Sequence, residues 1–149
     1  MKTLLLIIFF YPMQVFCPPA EMSKQDIIKA WEFNFLTQPF SPGRLKTALE
    51  IFVNNPEVAM AQAKLETGNF TSSIWIENRN LFGMHQPHIR PTYSMGEAKK
   101  CAIYSHWLYS VKDYKLMQDF YFDKGYDHDY FMSVFCPNPK YIQRVNNLL

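Results

Sequence analysis

The first half of the chain places apolar residues at helical spacing between short polar breaks. Ser23 can cap a first helix running to about Leu36, with Asp26 in position for a capping box. The apolar stripe of this helix consists of Ile27, Ile28, Trp31 and Phe35. Ser41-Pro42 then predicts a second helix, because a cap followed by proline is a common helix start.

The second and third helices differ in the size of their apolar residues. The second helix is predicted to bury Leu45, Ala48, Leu49 and Phe52. The third is predicted to begin at Asn55-Pro56, to be rich in alanine, and to end at Thr67. Gly68 follows in the left-handed position that often terminates a helix.

The second half of the chain begins with a segment that lacks helical periodicity. Residues 69–104 contain scattered Gly and Pro and predict a loop with a small β-hairpin, whose strands we expect at 81–84 and 100–104. Ser110 and Asp113 have capping-box spacing and predict the opening or re-capping of a helix that ends by Gly125. Its apolar face would consist of Val111, Tyr114, Met117 and Phe120.

Two short helices are predicted to complete the chain. Asp127 can cap a helix reaching about Phe135. Asn138-Pro139 can start the last helix. The apolar positions of this last helix are Tyr141, Ile142, Val145 and Leu148. The pattern as a whole predicts an α+β fold that is mainly helical, with a small β insertion after the third helix.

The N-terminus has a different character. Lys2 precedes an apolar run over residues 3–11 that stops at Pro12 and is too short to span a bilayer. We therefore expect residues 1–20 to be an export signal, cleaved near residues 16–20, and residues 21–149 to form one domain. Lipidation of Cys17 and a buried N-terminal strand or helix are the less favoured alternatives. The expected location is the periplasm or cell envelope, without a stable membrane span.

The composition of the chain limits the classes of partner and cofactor that we expect the protein to bind. The chain has 149 residues, 48% of them hydrophobic, which suits one compact domain, expected to be a monomer. A net charge of +2 without a basic block argues against a nucleic-acid partner. No zinc-type cysteine spacing occurs, and neither a metal nor another cofactor is expected. Cys101 and Cys136 could pair in an oxidising compartment, but their spacing does not decide this.

The sequence "AQAKLETG" at 61–68 ends an alanine-rich helix on Glu66. Burial and the negative end of the helix dipole should both raise the pKa of this carboxyl group. A carboxyl that stays protonated near neutral pH can serve as the general acid of glycoside hydrolysis. The alternative is a solvent-facing glutamate at a frayed helix end.

Three further segments follow in order: "NLFGM" at 80–84, "AIYSHWLYSVKDY" at 102–114 and "FCPNPKYIQRV" at 135–145. With "AQAKLETG" they resemble the glucosaminidases of glycoside hydrolase family 73, which cleave peptidoglycan. The resemblance covers about residues 42–149 and is closest to short members from Bacteroides-type bacteria and their phages. It implies a lysozyme-like fold with a small β-hairpin lobe and Glu66 as catalytic acid. It also implies an endo-β-N-acetylglucosaminidase acting on β-1,4 linkages of peptidoglycan glycan strands.

The resemblance also suggests residues that contact the substrate and a second acid. The implied substrate-binding residues are Asn80, Phe82, Tyr93, Phe135 and Tyr141. Residues 80–83 would enter the β lobe, either as a plain structural turn or as a sugar contact. A second carboxylate usual in the family has no clear match here; Glu97 and Glu77 are the candidates. Tyr114 is expected in the core and Asp113 at a helix cap.

This sequence departs from the family pattern at three places. Asn69-Phe70 replaces the usual Trp-Gly, Phe135 replaces a tyrosine and Cys136 an alanine, and the β-lobe acid is not evident. Attack by the substrate's own N-acetyl group or a lytic transglycosylase route would need only one protein acid. A catalytically weak or inactive glycan-binding module of a cell-wall or virion assembly is the alternative function. Chitin or a host glycan remains open as substrate.

Overall fold

The computed structural model describes residues 23–149, so the predicted export signal and Cys17 lie outside the described residues. Four helices lead the described part of the chain: α1 (Lys24–Thr37), α2 (Pro42–Phe52), α3 (Pro56–Glu66) and α4 (Ser73–Asn78). An antiparallel pair, β1 (Gly96–Ala98) and β2 (Cys101–Ile103), is followed by α5 (Trp107–Phe122), α6 (His128–Phe135) and α7 (Pro139–Asn146). The predicted mainly helical α+β class is confirmed.

Most predicted helix starts are confirmed by their caps. The Ser23 hydroxyl caps α1 by accepting from the Asp26 amide, and it donates to the Asp26 carboxylate. Asp127 caps α6 by accepting from the Tyr130 amide at 2.8 Å, and Asn138 caps α7. Local sequence therefore determines where these helices begin.

The helix start predicted at Ser110 and Asp113 was wrong. Helix α5 begins at Trp107 and is capped by the His106 ring. Ser110 and Asp113 both lie within this helix and are buried. Each forms hydrogen bonds with residues of other segments. The Ser110 hydroxyl accepts from the Leu81 amide at 3.0 Å. The two residues have the spacing of a capping box, but their hydrogen-bond partners lie in other segments of the chain.

The region between α3 and α5 also differs from the prediction. Helix α4, capped by the Ser72 hydroxyl, was not predicted, because six residues are too few to show a helical period. The strand predicted at 100–104 is confirmed as Cys101–Ile103. Its partner is Gly96–Ala98, and residues 81–84 form a turn rather than the predicted strand. One backbone bond joins the two regions, from the Ala102 amide to the Met84 carbonyl at 2.8 Å.

The small residues of α3 determine its place at the centre of the helical part. Ala59, Ala61 and Ala63 are buried, and α3 packs against α2 on one side and α7 on another. Alanine allows such close approach of helix backbones at low entropic cost. The direction of the last residue, Glu66, is therefore fixed by helix packing on more than one face.

A buried ion pair attaches the irregular segment before the hairpin to α5. Arg90 donates to both carboxylate oxygens of Asp113, at 2.9 and 3.4 Å, and the side chains are 6% and 0% exposed. Asp113 also accepts from the Tyr93 amide at 3.2 Å and the Tyr104 hydroxyl at 2.7 Å. Four donors thus satisfy one buried carboxylate, as its burial requires.

Asp113→Asn should destabilise the protein strongly, because it leaves the buried Arg90 guanidinium without a counter-charge. We expect a loss of about 3–5 kcal/mol in the free energy of unfolding, measured by urea denaturation. The matched control is Glu77→Gln, which breaks an ion pair of 2.7 Å with Lys99 in which both side chains are about half exposed. It should cost at most about 1 kcal/mol. Similar losses for the two variants would contradict the prediction.

Candidate active site

Glu66 is the last residue of α3 and lines a cleft. Burial raises the pKa of its carboxyl group above the ordinary value, and this effect outweighs two opposing ones. A hydrogen bond from Tyr141 and the positive charge of Arg144 both favour the ionised form. The carboxyl is thus biased toward the protonated state while retaining partners for its anion.

The helix end at Glu66 is held by the next residue. Thr67 is fully buried; its hydroxyl donates to the Ala63 carbonyl and accepts from the Phe70 amide at 2.9 Å. Gly68, Asn69 and Phe70 then all have left-handed backbone angles, with φ of 55°, 57° and 67°. This turn ends the helix abruptly, so Glu66 has no following helical turn to cover it.

Phe70 occupies a left-handed position where the family pattern has glycine. Such a conformation costs an L-residue roughly 1–2 kcal/mol. The Phe70 ring packs 5.2 Å from that of Phe40, between α1 and α2, and Phe40 in turn packs 4.5 Å from Trp75. Aromatic packing offsets the backbone cost, so the departure from the family pattern is accommodated.

A buried chain of hydrogen bonds leads from α5 to the Glu66 carboxyl. The Tyr114 hydroxyl donates to Oε1 of Gln62, whose Nε2 donates to the Tyr141 hydroxyl at 3.2 Å. The Tyr141 hydroxyl is in turn close enough to Glu66 to influence the pKa of its carboxyl group. Burial is the main cause of raised pKa values for Tyr114 and Tyr141, so both phenols stay protonated at all working pH values. Both phenols therefore keep the proton with which each can donate a hydrogen bond.

The backbone of Gly83 lies close to the Glu66 carboxyl group. A β-carbon on Gly83 would lie 2.9 Å from Oε2 of Glu66, closer than β-carbons approach other atoms in proteins. Gly83 also has φ of +62°, which favours glycine. The turn that contains it is held by Asn80, whose side chain accepts from the Phe82 and Met84 amides.

The cleft beside Glu66 has a volume of about 440 Å³ and is mostly apolar. One wall is the segment between α4 and β1, which contributes Phe82, Gly83, Met84, His85, Gln86, Pro87, Ile89 and Arg90. The opposite wall belongs to α5 and the end of α6, which contribute Met117, Phe120, Tyr121, Val134, Phe135 and Cys136. Apolar walls around a few polar groups are typical of ligand sites.

The structure brings together four of the predicted site residues. Glu66, Phe82 and Phe135 line the cleft, and Tyr141 lies behind Glu66, with its ring stacked 6.0 Å from that of Phe135. Position 135, where the family pattern has a tyrosine, is thus occupied by Phe135, whose ring forms part of the cleft wall. A separate residue, Tyr141, supplies the hydroxyl that reaches the acid.

Two other predicted residues lie outside the cleft wall. Asn80 is 1% exposed, and its amide nitrogen donates to the Met84 and Ala102 carbonyls. It therefore supports the turn from beneath, as the structural reading of 80–83 proposed. Tyr93 is exposed but stacks on Tyr109 and lies under the Lys112 ammonium group, away from the residues that line the cleft.

The two candidate second acids lie in different surroundings. Glu77 is bound by Lys99 on the surface. Glu97 lies on β1 and is exposed. The charges of both Glu97 and Glu66 raise the pKa of the Cys101 thiol, after burial as the larger cause. Neither Glu97 nor Glu77 is among the residues that line the cleft.

Sequence reasoning missed Gln62 and Gly83. Gln62 is fully buried among alanines and lies one helical turn before Glu66, on the same face of α3. A lone amide in a small-residue helix, four residues before a candidate acid, was a usable signal. The approach of Gly83 to Glu66 leaves no local signal, because it depends on tertiary packing.

Several open questions about the site are answered for the part of the chain that the structure describes. Cys101 and Cys136 are both free thiols. Within residues 23–149, no group of three or more His, Cys, Asp or Glu side chains is arranged to hold a metal ion. No helix in this range has the length and apolarity needed to cross a membrane.

Comparison with known proteins identifies the family. No curated protein and no solved structure matches the chain significantly. The family model described as glucosaminidase, mannosyl-glycoprotein endo-beta-N-acetylglucosaminidase, matches residues 45–149, well over half of the chain. This range contains α3 with Glu66, both walls of the cleft and Tyr141. The chain therefore belongs to the glucosaminidase family of glycoside hydrolases, family 73.

Proposed function

We propose that this protein cleaves glycan strands of peptidoglycan at a β-1,4 linkage of N-acetylglucosamine, with Glu66 as the general acid. The observation that carries the proposal is the Glu66 carboxyl at the edge of the cleft, with a pKa raised by burial. Protonation of the leaving oxygen requires an acid that is still neutral at the working pH. The raised pKa extends the neutral form to higher pH than an ordinary glutamate allows.

The surroundings of Glu66 can stabilise its carboxyl group both before and after it donates a proton. Before the transfer, burial favours the neutral acid. Afterwards the new carboxylate accepts the hydrogen bond of Tyr141 and is attracted by Arg144. Because Gln62 and Tyr114 already fix the orientation of the Tyr141 hydroxyl, little reorganisation is needed when the charge develops.

The group that completes the reaction is a separate proposal. Glu97 is the favoured candidate of the two carboxylates, because it is exposed on β1 whereas Glu77 is bound by Lys99. A carboxylate there would act as base for water or stabilise positive charge at the anomeric carbon. Attack by the N-acetyl group or by a sugar hydroxyl remains the alternative, and each would leave different products.

Peptidoglycan is proposed from the sequence resemblance. The description of the matched family names a mannosyl-glycoprotein glycan instead, and both substrates contain linkages of N-acetylglucosamine. We also propose that the enzyme is exported to the cell envelope, where peptidoglycan lies. The apolar run at residues 3–11 supports export. Mass spectrometry of digests of both glycans would decide the substrate.

Glu66→Gln should abolish cleavage while preserving the fold. The amide has the shape of the carboxyl but cannot deliver a proton, so we expect a loss of about 10²–10⁴-fold in kcat. Turbidity loss of a peptidoglycan suspension gives the rate, and circular dichroism checks the fold. Activity within a few-fold of the wild type in a folded variant would refute the role of Glu66. The wild-type products also report the mechanism, because a new reducing end and an anhydro sugar differ by one water.

Glu97→Gln should reduce cleavage less than Glu66→Gln, by under about 10²-fold, because its carboxylate is exposed on the hairpin. Glu77→Gln is the matched control on the same lobe and should cleave at the wild-type rate. Turbidity assays on the three variants under one condition make the comparison. A Glu97→Gln variant as inactive as Glu66→Gln would establish a two-carboxylate mechanism and refute this ranking.

Gly83→Ala should impair cleavage through its clash with Glu66. The new methyl group would displace Oε2, and we expect a fall of about tenfold or more in kcat/KM, since small misplacements of a catalytic group are costly. Left-handed strain should also remove roughly 1–2 kcal/mol of stability. Gly125→Ala is the control, because Gly125 has φ of +82° with no atom near the new methyl group. It should lose similar stability without a comparable loss of activity; equal activity losses would show that strain alone is responsible.

A further inference from the structure

A pair of exposed aromatic rings lies beyond the end of the cleft. Tyr126 precedes α6 and Tyr130 lies in its first turn; the side chains are 42% and 41% exposed. Their rings stack in parallel, with centroids 4.0 Å apart and an interplanar angle of 12°. These two residues, called here the tyrosine platform, cover one face of each other's ring and expose much of the remainder to solvent.

The tyrosine platform is continuous with the cleft wall through α5. Tyr121 lines the cleft, and its ring centroid lies 6.3 Å from that of Tyr126 and 6.1 Å from that of Tyr130. The Tyr126 amide also donates to the Tyr121 carbonyl at 3.2 Å. Phe120, the neighbouring ring of the cleft wall, lies 5.3 Å from Tyr121. A row of rings therefore runs from the cleft to the platform.

Helix α6 provides a second connection. Tyr130 and Val134 are four residues apart and lie on the same face of this helix. Val134 is 36% exposed and lines the cleft. One exposed helix face thus begins in the cleft at Val134 and ends on the platform at Tyr130, independently of the contacts through Tyr121.

The chemistry of the platform fits a sugar ring. Tyrosine offers an apolar face for the C–H groups of a pyranose and a hydroxyl for its polar edge. The mutual stacking of Tyr126 and Tyr130 orders both rings before a ligand arrives, so that binding would lose little side-chain entropy. A ligand that is a chain of such rings could occupy the cleft and the platform at once.

Resting on the proposed function, we propose that the tyrosine platform binds a further sugar of the same glycan strand that is cut in the cleft. The platform acts as a remote subsite for long strands. It selects polymeric over short substrates, because only a strand that extends past Tyr121 and Val134 reaches it. Binding there tightens the association of long strands and takes no part in bond cleavage.

The test is the double variant Tyr126→Ala/Tyr130→Ala, assayed on N-acetylglucosamine oligosaccharides of increasing length and on long peptidoglycan strands. For long strands we expect kcat/KM to fall about tenfold, mainly through KM, as befits the loss of two aromatic contacts. For the shortest cleaved oligosaccharide the two proteins should agree within about twofold. Tyr126→Phe/Tyr130→Phe, which keeps both rings, should recover most of the loss. The surface control is Phe33→Ala, on α1 and 71% exposed, which should behave as wild type.

The outcomes separate this proposal from the proposed activity. An equal effect of the double variant at every substrate length, or no effect at any length, would overturn the platform. Co-sedimentation with insoluble peptidoglycan needs no cleavage: a wild type that binds without cutting would refute the activity alone. In that assay weaker retention of the folded double variant supports the platform. Retention equal to that of the wild type, or a wild type that neither binds nor cuts, overturns it.

Discussion

The carboxyl group of Glu66 is confined by three segments that are far apart in the chain. Helix α3 brings it to the cleft edge, the Gly83 backbone excludes any side chain from one side of it, and Tyr141 of α7 bonds it from behind. Displacement of α3 or of the Gly83 turn would expose the carboxyl to water and lower its pKa toward the ordinary value, whereas loss of the Tyr141 hydrogen bond would remove a contribution that favours the ionised form. The environment that raises the pKa of Glu66 therefore exists only in the folded domain.

Polar side chains, rather than a sheet, hold the irregular wall of the cleft. Asn80 binds the amides and a carbonyl of its own turn, Ser110 accepts from the Leu81 amide, and Asp113 holds Arg90. Each of these side chains is buried and has its hydrogen bonds satisfied. Each therefore fixes the geometry of the cleft wall as well as stabilising it. A two-stranded hairpin alone would be a weak support, since such ribbons are marginal in water. The fixed wall lets the cleft exist before substrate arrives.

The sequence was most informative where structure is local. Caps such as Ser23, Asp127 and Asn138 act within three residues, so their helices could be predicted without knowledge of the fold. The pKa direction of Glu66 followed from its position at the end of a core helix. Ser110 and Asp113 misled for the opposite reason: the same residue types serve as caps or as buried tertiary partners, and spacing cannot distinguish them. The strand expected at 81–84 failed likewise, because side chains take the hydrogen bonds that a neighbouring strand would have made.

The strained turn after Glu66 links the acid to a distant part of the chain. Phe70 keeps its left-handed backbone while its ring contacts Phe40, and Phe40 belongs to the connection between α1 and α2. Loss of that contact would leave the backbone cost without compensation, and the turn would be expected to open together with the connection. We therefore expect the two segments to unfold locally as one cooperative unit. The local environment of Glu66 then depends in part on Phe40, which does not line the cleft.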